Sequence, residues 1–294
     1  MPDSEIIPAL AGNTVPNRAG RAIGSVLIDS GRLKLNDVTR VLNLQRDKKL
    51  RFGEAAVELG LLAPADIEFA LARQFDYPYL TRGESAVSQE LVAAYDPFCS
   101  QVEALRAVRS QLMLRWFNDP AHKSLAVVSA ERGEGRSFIA ANIAVVFAQL
   151  GGRTLLIDAD LRHPVQHRLF GIENNTGLSA ALSYRGGFEV TKRIASLHNL
   201  TVLPAGPIPP NPAELLARPP FAQLLRDLAS HFDYIVIDTP AAAETADAQT
   251  ISVRAGAAMI VARTNASRIA QVRKVADSLT VAKAAIVGTL LNDV

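Results

Sequence analysis

The sequence predicts an α/β fold: a mostly parallel sheet covered by helices on both faces, preceded by a small helical tandem-repeat domain. Three observations predict it. Six short apolar runs between residues 125 and 291 alternate with stretches of helical spacing, the pattern of strands buried on both sides. The segment 23–45 recurs as segment 52–74, the mark of a repeat. A Gly-rich turn also separates the first apolar run from an almost wholly apolar helix, where α/β sheets hold phosphates.

Composition sets the limits. At 294 residues and 49% hydrophobic the chain is long enough for two domains with their own cores. Thirty-one Lys and Arg against 29 Asp and Glu leave a net charge of +2, so no nucleic-acid partner and no polybasic membrane patch is expected. The single Cys99 excludes an internal disulfide framework and a multi-thiolate metal site, which fits a reducing, cytoplasmic compartment. No run approaches the roughly 18 apolar residues of a membrane span. The start, MPDSEIIPALAGNT, lacks the basic-then-apolar order of a secretion signal. Direct membrane insertion is therefore not expected, and attachment would come through a partner.

In chain order, residues 1–19 mix Pro, Gly, Asn and Ser without periodicity and read as a flexible tail. Residues 20–81 hold the repeat. Gly24 aligns with Gly53, Gly31 with Gly60, Leu33 with Leu62, Asp37 with Asp66 and Gln45 with Gln74. Each copy reads as a short helix stopped at Gly31 or Gly60, then a second helix entered near the Asp. Residues 82–98, closing on Pro97, read as a linker. A helix follows from Ser100, with apolar residues at Val102, Leu105, Val108, Leu112 and Trp116 at helical spacing. The α/β domain is expected over 99–294, its strands LAVVSA, TLLIDAD, LTVLPAG, YIVIDTP, AAMIVAR and AAIVGTLL.

The chemistry concentrates where these strands end. The run Ala130-Glu131-Arg132-Gly133-Glu134-Gly135-Arg136-Ser137 leaves a strand and opens a helix. Glycines there let backbone N–H groups turn inward, the helix N-terminus adds partial positive charge, and a hydroxyl can ligate Mg²⁺. This is a P-loop in which Arg136 stands where Lys is usual, a longer, planar and forked cation. A Gly-rich turn alone would serve equally as a plain turn. Asp158 and Asp160 at the end of one strand, and Asp238 at the end of another, add carboxylates on the edge that lines the ligand crevice of an open α/β sheet. Each could instead cap a following helix.

The motifs SAERGEGRS, LLIDADLRHP, LPAGPIPPNPAELL and FDYIVIDTP, in this order, resemble those of the bacterial tyrosine-kinase family, over roughly residues 99–294. These are the cytoplasmic ATPase partners of polysaccharide chain-length determinants. The resemblance extends to Glu103, Arg106 and Arg109, similar to the family's Glu-x-x-Arg-x-x-Arg helix that builds an oligomer ring. It implies ATP and Mg²⁺ as cofactors, held at Gly133, Glu134, Gly135, Arg136, Ser137 and Phe138. Ser137, Asp160 and Asp238 would serve the metal, Asp158 would be the base or water-orienting carboxylate, and Arg136 would sit on the β- and γ-phosphates. Asn292 resembles the position that contacts adenine in related ATPases. The expected function is an ATP- and Mg²⁺-dependent protein tyrosine (auto)kinase or ATPase subunit regulating exopolysaccharide chain length and export. It would be a homo-oligomer held at the inner membrane by a chain-length determinant protein. Members that autophosphorylate carry a C-terminal tyrosine cluster, whereas the tyrosines here are Tyr77, Tyr79, Tyr95, Tyr184 and Tyr234. The alternative is a non-catalytic, nucleotide-gated scaffold of the same machinery. A partitioning-type ATPase is disfavoured, because Glu131 and Arg132 stand where that group carries an additional Lys.

The repeat resembles the N-terminal domain of type II secretion and pilus ATPases, some of which bind cyclic di-GMP. The resemblance implies Arg51, Gly53 and Gln74 from the second copy and Gly24 and Gln45 from the first as candidate contacts. The first copy has Ala22 where the second has Arg51. A helical protein-docking module without ligand is the alternative.

Overall fold

The computed structural model describes residues 22–74, 79–183 and 190–293, which divide within 75–78 into two compact units. The expected tail, Tyr77 and Tyr184 lie outside the described residues, as does the side chain of Gln74.

The first unit realises the repeat. Helices α1 (Ile23–Asp29) and α2 (Leu35–Lys48) are matched by α3 (Phe52–Glu58) and α4 (Pro64–Gln74). Gly31 and Gly60 follow the first helix of each pair with φ of 71° and 65°, the left-handed turn that only glycine makes freely. The buried apolar cluster is Val26, Leu27, Leu33 and Val41 with Ala55, Ala56, Leu62 and Ala70. These are four pairs at the repeat offset, so the same core positions were kept in both copies. Gly24 and Gly53 serve packing. A Cβ at Gly24 would lie 3.3 Å from the Phe52 ring, and one at Gly53 2.9 Å from Ile67. Arg51 precedes α3, its backbone N–H donating to Glu54 at 2.8 Å as a cap.

The second unit is built on a seven-stranded sheet. Its strands are β1 (Ser124–Ser129), β2 (Thr154–Asp158), β3 (Lys192–Arg193), β4 (Leu200–Leu203), β5 (Tyr234–Asp238), β6 (Ala257–Arg263) and β7 (Ala285–Asn292). The order is β3-β4-β2-β5-β1-β6-β7, parallel except for the antiparallel edge pair β3–β4. Before β1 come α5 (Val92–Tyr95) and α6 (Ser100–Arg115), and between strands lie α7 (Arg136–Gln149), α8 (Gln166–Leu169), α9 (Leu178–Leu182), α10 (Pro212–Ala217), α11 (Pro219–Ala229), α12 (Asp247–Ala255) and α13 (Ile269–Val281).

The alternation of strand side chains divides the core in two. Leu125, Val127, Leu156, Val202, Val236 and Met259 face α5, α6 and α7. Ala126, Val128, Leu155, Ile157, Ile235, Ile237 and Ile260 face α9 to α13. Both sheet faces are thus covered, which is why the strands read as unbroken apolar runs. Helix α7 is buried along nearly its whole length, which explains its apolar sequence on every side.

Residues 82–98 are not a linker. Val87, Leu91, Ala93, Ala94 and Tyr95 belong to the buried cluster on the α7 face. Asn142 of α7 accepts the Ala93 N–H at 2.9 Å and Gln149 donates to the Ala93 carbonyl at 2.7 Å. These bonds satisfy a short, buried stretch of backbone that has little regular structure of its own.

Candidate functional site: a phosphate loop over three carboxylates

Strands β1, β2 and β5 lie side by side, with Asp158 in register with Asp238. Their C-terminal ends therefore deliver the P-loop and all three expected carboxylates to one edge of the sheet. Gly133 and Gly135 take φ of 78° and 87°, left-handed turns that glycine makes freely. A side chain at Gly135 would collide with Asn292.

The loop is braced from outside. Glu134 is only 3% exposed; its carboxylate accepts the Glu131 N–H at 2.8 Å and the Ser267 hydroxyl. Arg263 donates to the Gly133 carbonyl at 3.1 Å, and Gln271 to the Glu131 carboxylate at 2.7 Å. Asn292 is buried and donates to the Glu134 carbonyl at 3.2 Å. The structure thus gives Asn292 a loop-bracing contact where a base contact was expected. Phe138, on α7, packs its ring against the buried cluster on that face of the sheet, and the Glu134 side chain is taken up by the brace. Of these two, only the backbone is left to face a phosphate.

Arg136 is turned inward and 8% exposed. Its Nε donates to Asp238 at 3.2 Å, Nη1 to the Ser129 hydroxyl at 2.8 Å and Nη2 to Asp160 at 3.4 Å. The forked guanidinium neutralises the carboxylates expected to serve the metal, a bonding capacity that Lys lacks. Asp160 also accepts the N–H groups of Arg162 and His163 at 3.2 and 2.9 Å. Arg162 holds the turn by pairing with buried Asp247 at 3.1 Å.

Asp158 is fully buried and accepts the N–H groups of Asp160, Val165 and Gln166 at 3.3, 3.0 and 2.9 Å. It therefore holds the turn into α8 as well as facing the other carboxylates. Burial first, then the charge of Asp238, pushes its carboxyl well above the ordinary range. Burial also raises Asp238, opposed by Arg136 and by hydrogen bonds from Gln166 and the Ser137 hydroxyl.

Sequence reasoning missed Gln166. Fully buried, it donates through Nε2 to the Ser137 carbonyl at 3.0 Å and to Asp238 at 2.8 Å. Its Oε1 is buried and accepts no hydrogen bond from any described residue. A single Gln beyond a motif has no spacing signature by which to find it. Asp247 and Ser267 escaped for the same reason; Ser129 opens the motif SAERGEGRS, but nothing in the spacing marks it as the partner of Arg136.

The donor set suits Mg²⁺. It offers a hydroxyl, two carboxylates and an unsatisfied amide oxygen close by, all hard oxygens. Among the described residues no group of three or more His, Cys, Asp or Glu is placed to cage a metal alone. Nucleotide with Mg²⁺ is the ligand pair a P-loop of this kind implies.

The expected interface residues all lie on α6. Arg106 pairs with Glu103 at 2.9 Å. Arg109 donates to the Val146 carbonyl at 2.9 Å, tying α6 to α7 within the unit. No helix of the described residues is long and apolar enough to cross a membrane.

Comparison with known proteins gives consistent matches. The family described as ParA, NUBPL iron-transfer P-loop NTPase, matches residues 121–293. Tyrosine-protein kinase YwqD of Bacillus subtilis is 35% identical over 208 residues, 71% of this chain and 87% of that protein. Tyrosine-protein kinase Wzc of Salmonella typhimurium is 30% identical over 252 residues, 84% of this chain but 34% of that protein. The solved kinase domain of Escherichia coli tyrosine kinase ETK superposes with a TM-score of 0.68 at 31% identity, covering 75% of this chain and 86% of that one. A P-loop over three carboxylates on a parallel sheet, with sequence identity at this level over most of a relative's length, places this chain in the bacterial tyrosine-kinase family.

Proposed function

We propose that this chain is an ATP- and Mg²⁺-dependent tyrosine kinase or ATPase subunit that works with an inner-membrane chain-length protein in exopolysaccharide synthesis and export. The observation that carries the reading is the convergence of Ser137, Asp158, Asp160 and Asp238 around Arg136 beneath the loop. Phosphoryl transfer depends mainly on positioning and charge stabilisation, and this edge supplies cation and carboxylates for both.

In this reading the loop amides at Gly133 and Gly135 receive the phosphates. With nucleotide bound, Arg136 would exchange Asp160 and Asp238 for phosphate oxygens, and those carboxylates, with Ser137, would hold the metal. Mg²⁺, when bound, neutralises charge on the phosphoryl oxygens. Asp158 takes or orients the proton of the attacking hydroxyl. Burial and the neighbouring Asp238 charge raise its proton affinity, the direction a proton-accepting role calls for.

The kinase region makes up most of the length of YwqD but a third of Wzc. Glu103, whose side chain is 72% exposed, is the interface residue most available to a neighbouring subunit. For the first unit we favour protein docking over cyclic di-GMP, since packing accounts for Gly24 and Gly53.

The test is turnover of labelled ATP with Mg²⁺, scoring released phosphate and protein-bound phosphotyrosine separately. Label on tyrosine is expected. ATP binding with neither product would defeat the enzymatic reading. Asp158→Asn should lower turnover by about 100-fold or more with ATP affinity little changed, and equal activity would remove Asp158 from its role.

A further inference from the structure

Gln166 touches three of the site residues, Asp158, Ser137 and Asp238. Its backbone N–H goes to Asp158 at 2.9 Å, and its Nε2 hydrogens go to the Ser137 carbonyl and to Asp238. Because Nε2 faces two acceptors, the amide can sit only one way round; a flip would set Oε1 against two oxygens. Oε1 is then an acceptor buried beside the metal residues with no donor among the described residues. Leaving such a group unmatched is costly, and proteins seldom do so without a partner for it. The two side chains nearest it by hydrogen bonding offer it no hydrogen, since Asp238 is an acceptor and the Ser137 hydroxyl is bonded to Asp238, so the matching group must bring its own.

We propose that Gln166 is a positioning residue of the metal edge: its Oε1 accepts a hydrogen bond from water in the Mg²⁺ shell, while Nε2 fixes Asp238 and the Ser137 backbone. The proposal rests on the nucleotide reading above. Residues that orient metal ligands in this way typically change metal affinity by about 10- to 100-fold when replaced. Gln166 is also the link by which a filled metal edge would be felt at Asp158, through its own backbone N–H.

The test uses the full chain, with ADP and Mn²⁺ as probes. ADP affinity is measured by calorimetry in EDTA and with excess Mg²⁺, and Mn²⁺ affinity in the presence of ADP by electron paramagnetic resonance. Gln166→Met keeps length and burial but loses both donor and acceptor. It should leave metal-free ADP affinity within about twofold of wild type and weaken Mn²⁺ binding about tenfold or more. Gln166→Asn, one carbon shorter, should move the same way, and serves alone if the Met variant does not fold. Unchanged Mn²⁺ affinity in both variants would overturn the proposal. So would an equal loss of ADP affinity with and without metal, which would make Gln166 a packing post only. Wild-type protein that binds no ADP under either condition would instead overturn the nucleotide reading, and the proposal with it.

Discussion

Arg136 is the residue that most sets this site apart. Three of its nitrogens are bonded to Asp238, Ser129 and Asp160, so in this conformation the loop's cation is held by the groups expected to bind the metal. Removing it should leave two buried carboxylates facing each other without a counter-charge. Arg136→Met is expected to destabilise the nucleotide-free chain by about 3 kcal/mol in urea denaturation. Added Mg²⁺ should recover part of that loss, because the vacated carboxylates become metal ligands. Loss of stability without recovery would show that Asp160 and Asp238 do not form a cation site. The sequence shows that Arg136 is long and forked; it does not show which way the side chain turns, because its partners sit 7, 24 and 102 residues away. The same holds for Asn292, whose neighbour in space is Glu134.

Among the elements, the strands were legible because each is a continuous apolar run. Strand β3, two residues long at the sheet edge, has no run to detect. The stretch 82–98 was misread because its apolar residues are irregularly spaced and its one helix has four residues, too few for periodicity. Its attachment to α7 gives a test. Asn142→Leu should cost about 1–3 kcal/mol in urea denaturation and speed hydrogen exchange at the Ala93 amide; unchanged exchange would mean that the stretch is held by packing alone. Where β2 and β5 begin, Arg153 grips Asp233 through Nε at 3.2 Å and Nη2 at 2.8 Å. The hydrogen bond from Arg153 leads the effects that lower the Asp233 pKa. The folded state therefore favours the charged carboxylate. Its stabilisation is present above the ordinary carboxylate pKa and is lost as pH falls through the lowered value. Asp233→Asn should melt below wild type at neutral pH, with the gap closing in acid; a gap independent of pH would refute the ionic origin.

For the molecule as a whole, the sequence revealed both units: the first through its 29-residue repeat, the second through alternating strands and helices. It placed their division too late, since the described residues from 79 onward already belong to the second unit. The buried cluster of the first unit shares no residue with the two clusters of the second. A chain lacking residues 1–78 should therefore bind Mg²⁺-ADP within about twofold of the full protein, as read by calorimetry. Strong weakening would mean that the first unit acts on the nucleotide site. The contact between Asn292 and the loop has a further bearing on how the protein comes into being. The loop leaves the ribosome 158 residues before its brace, and β7 must pair with β6 to bring that brace into place. During translation the nascent chain carries the full phosphate-binding motif well before it has the cradle. A transcript interrupted ahead of β7 would thus yield a protein that keeps every motif residue from 130 to 137 yet lacks the Asn292 contact that braces them.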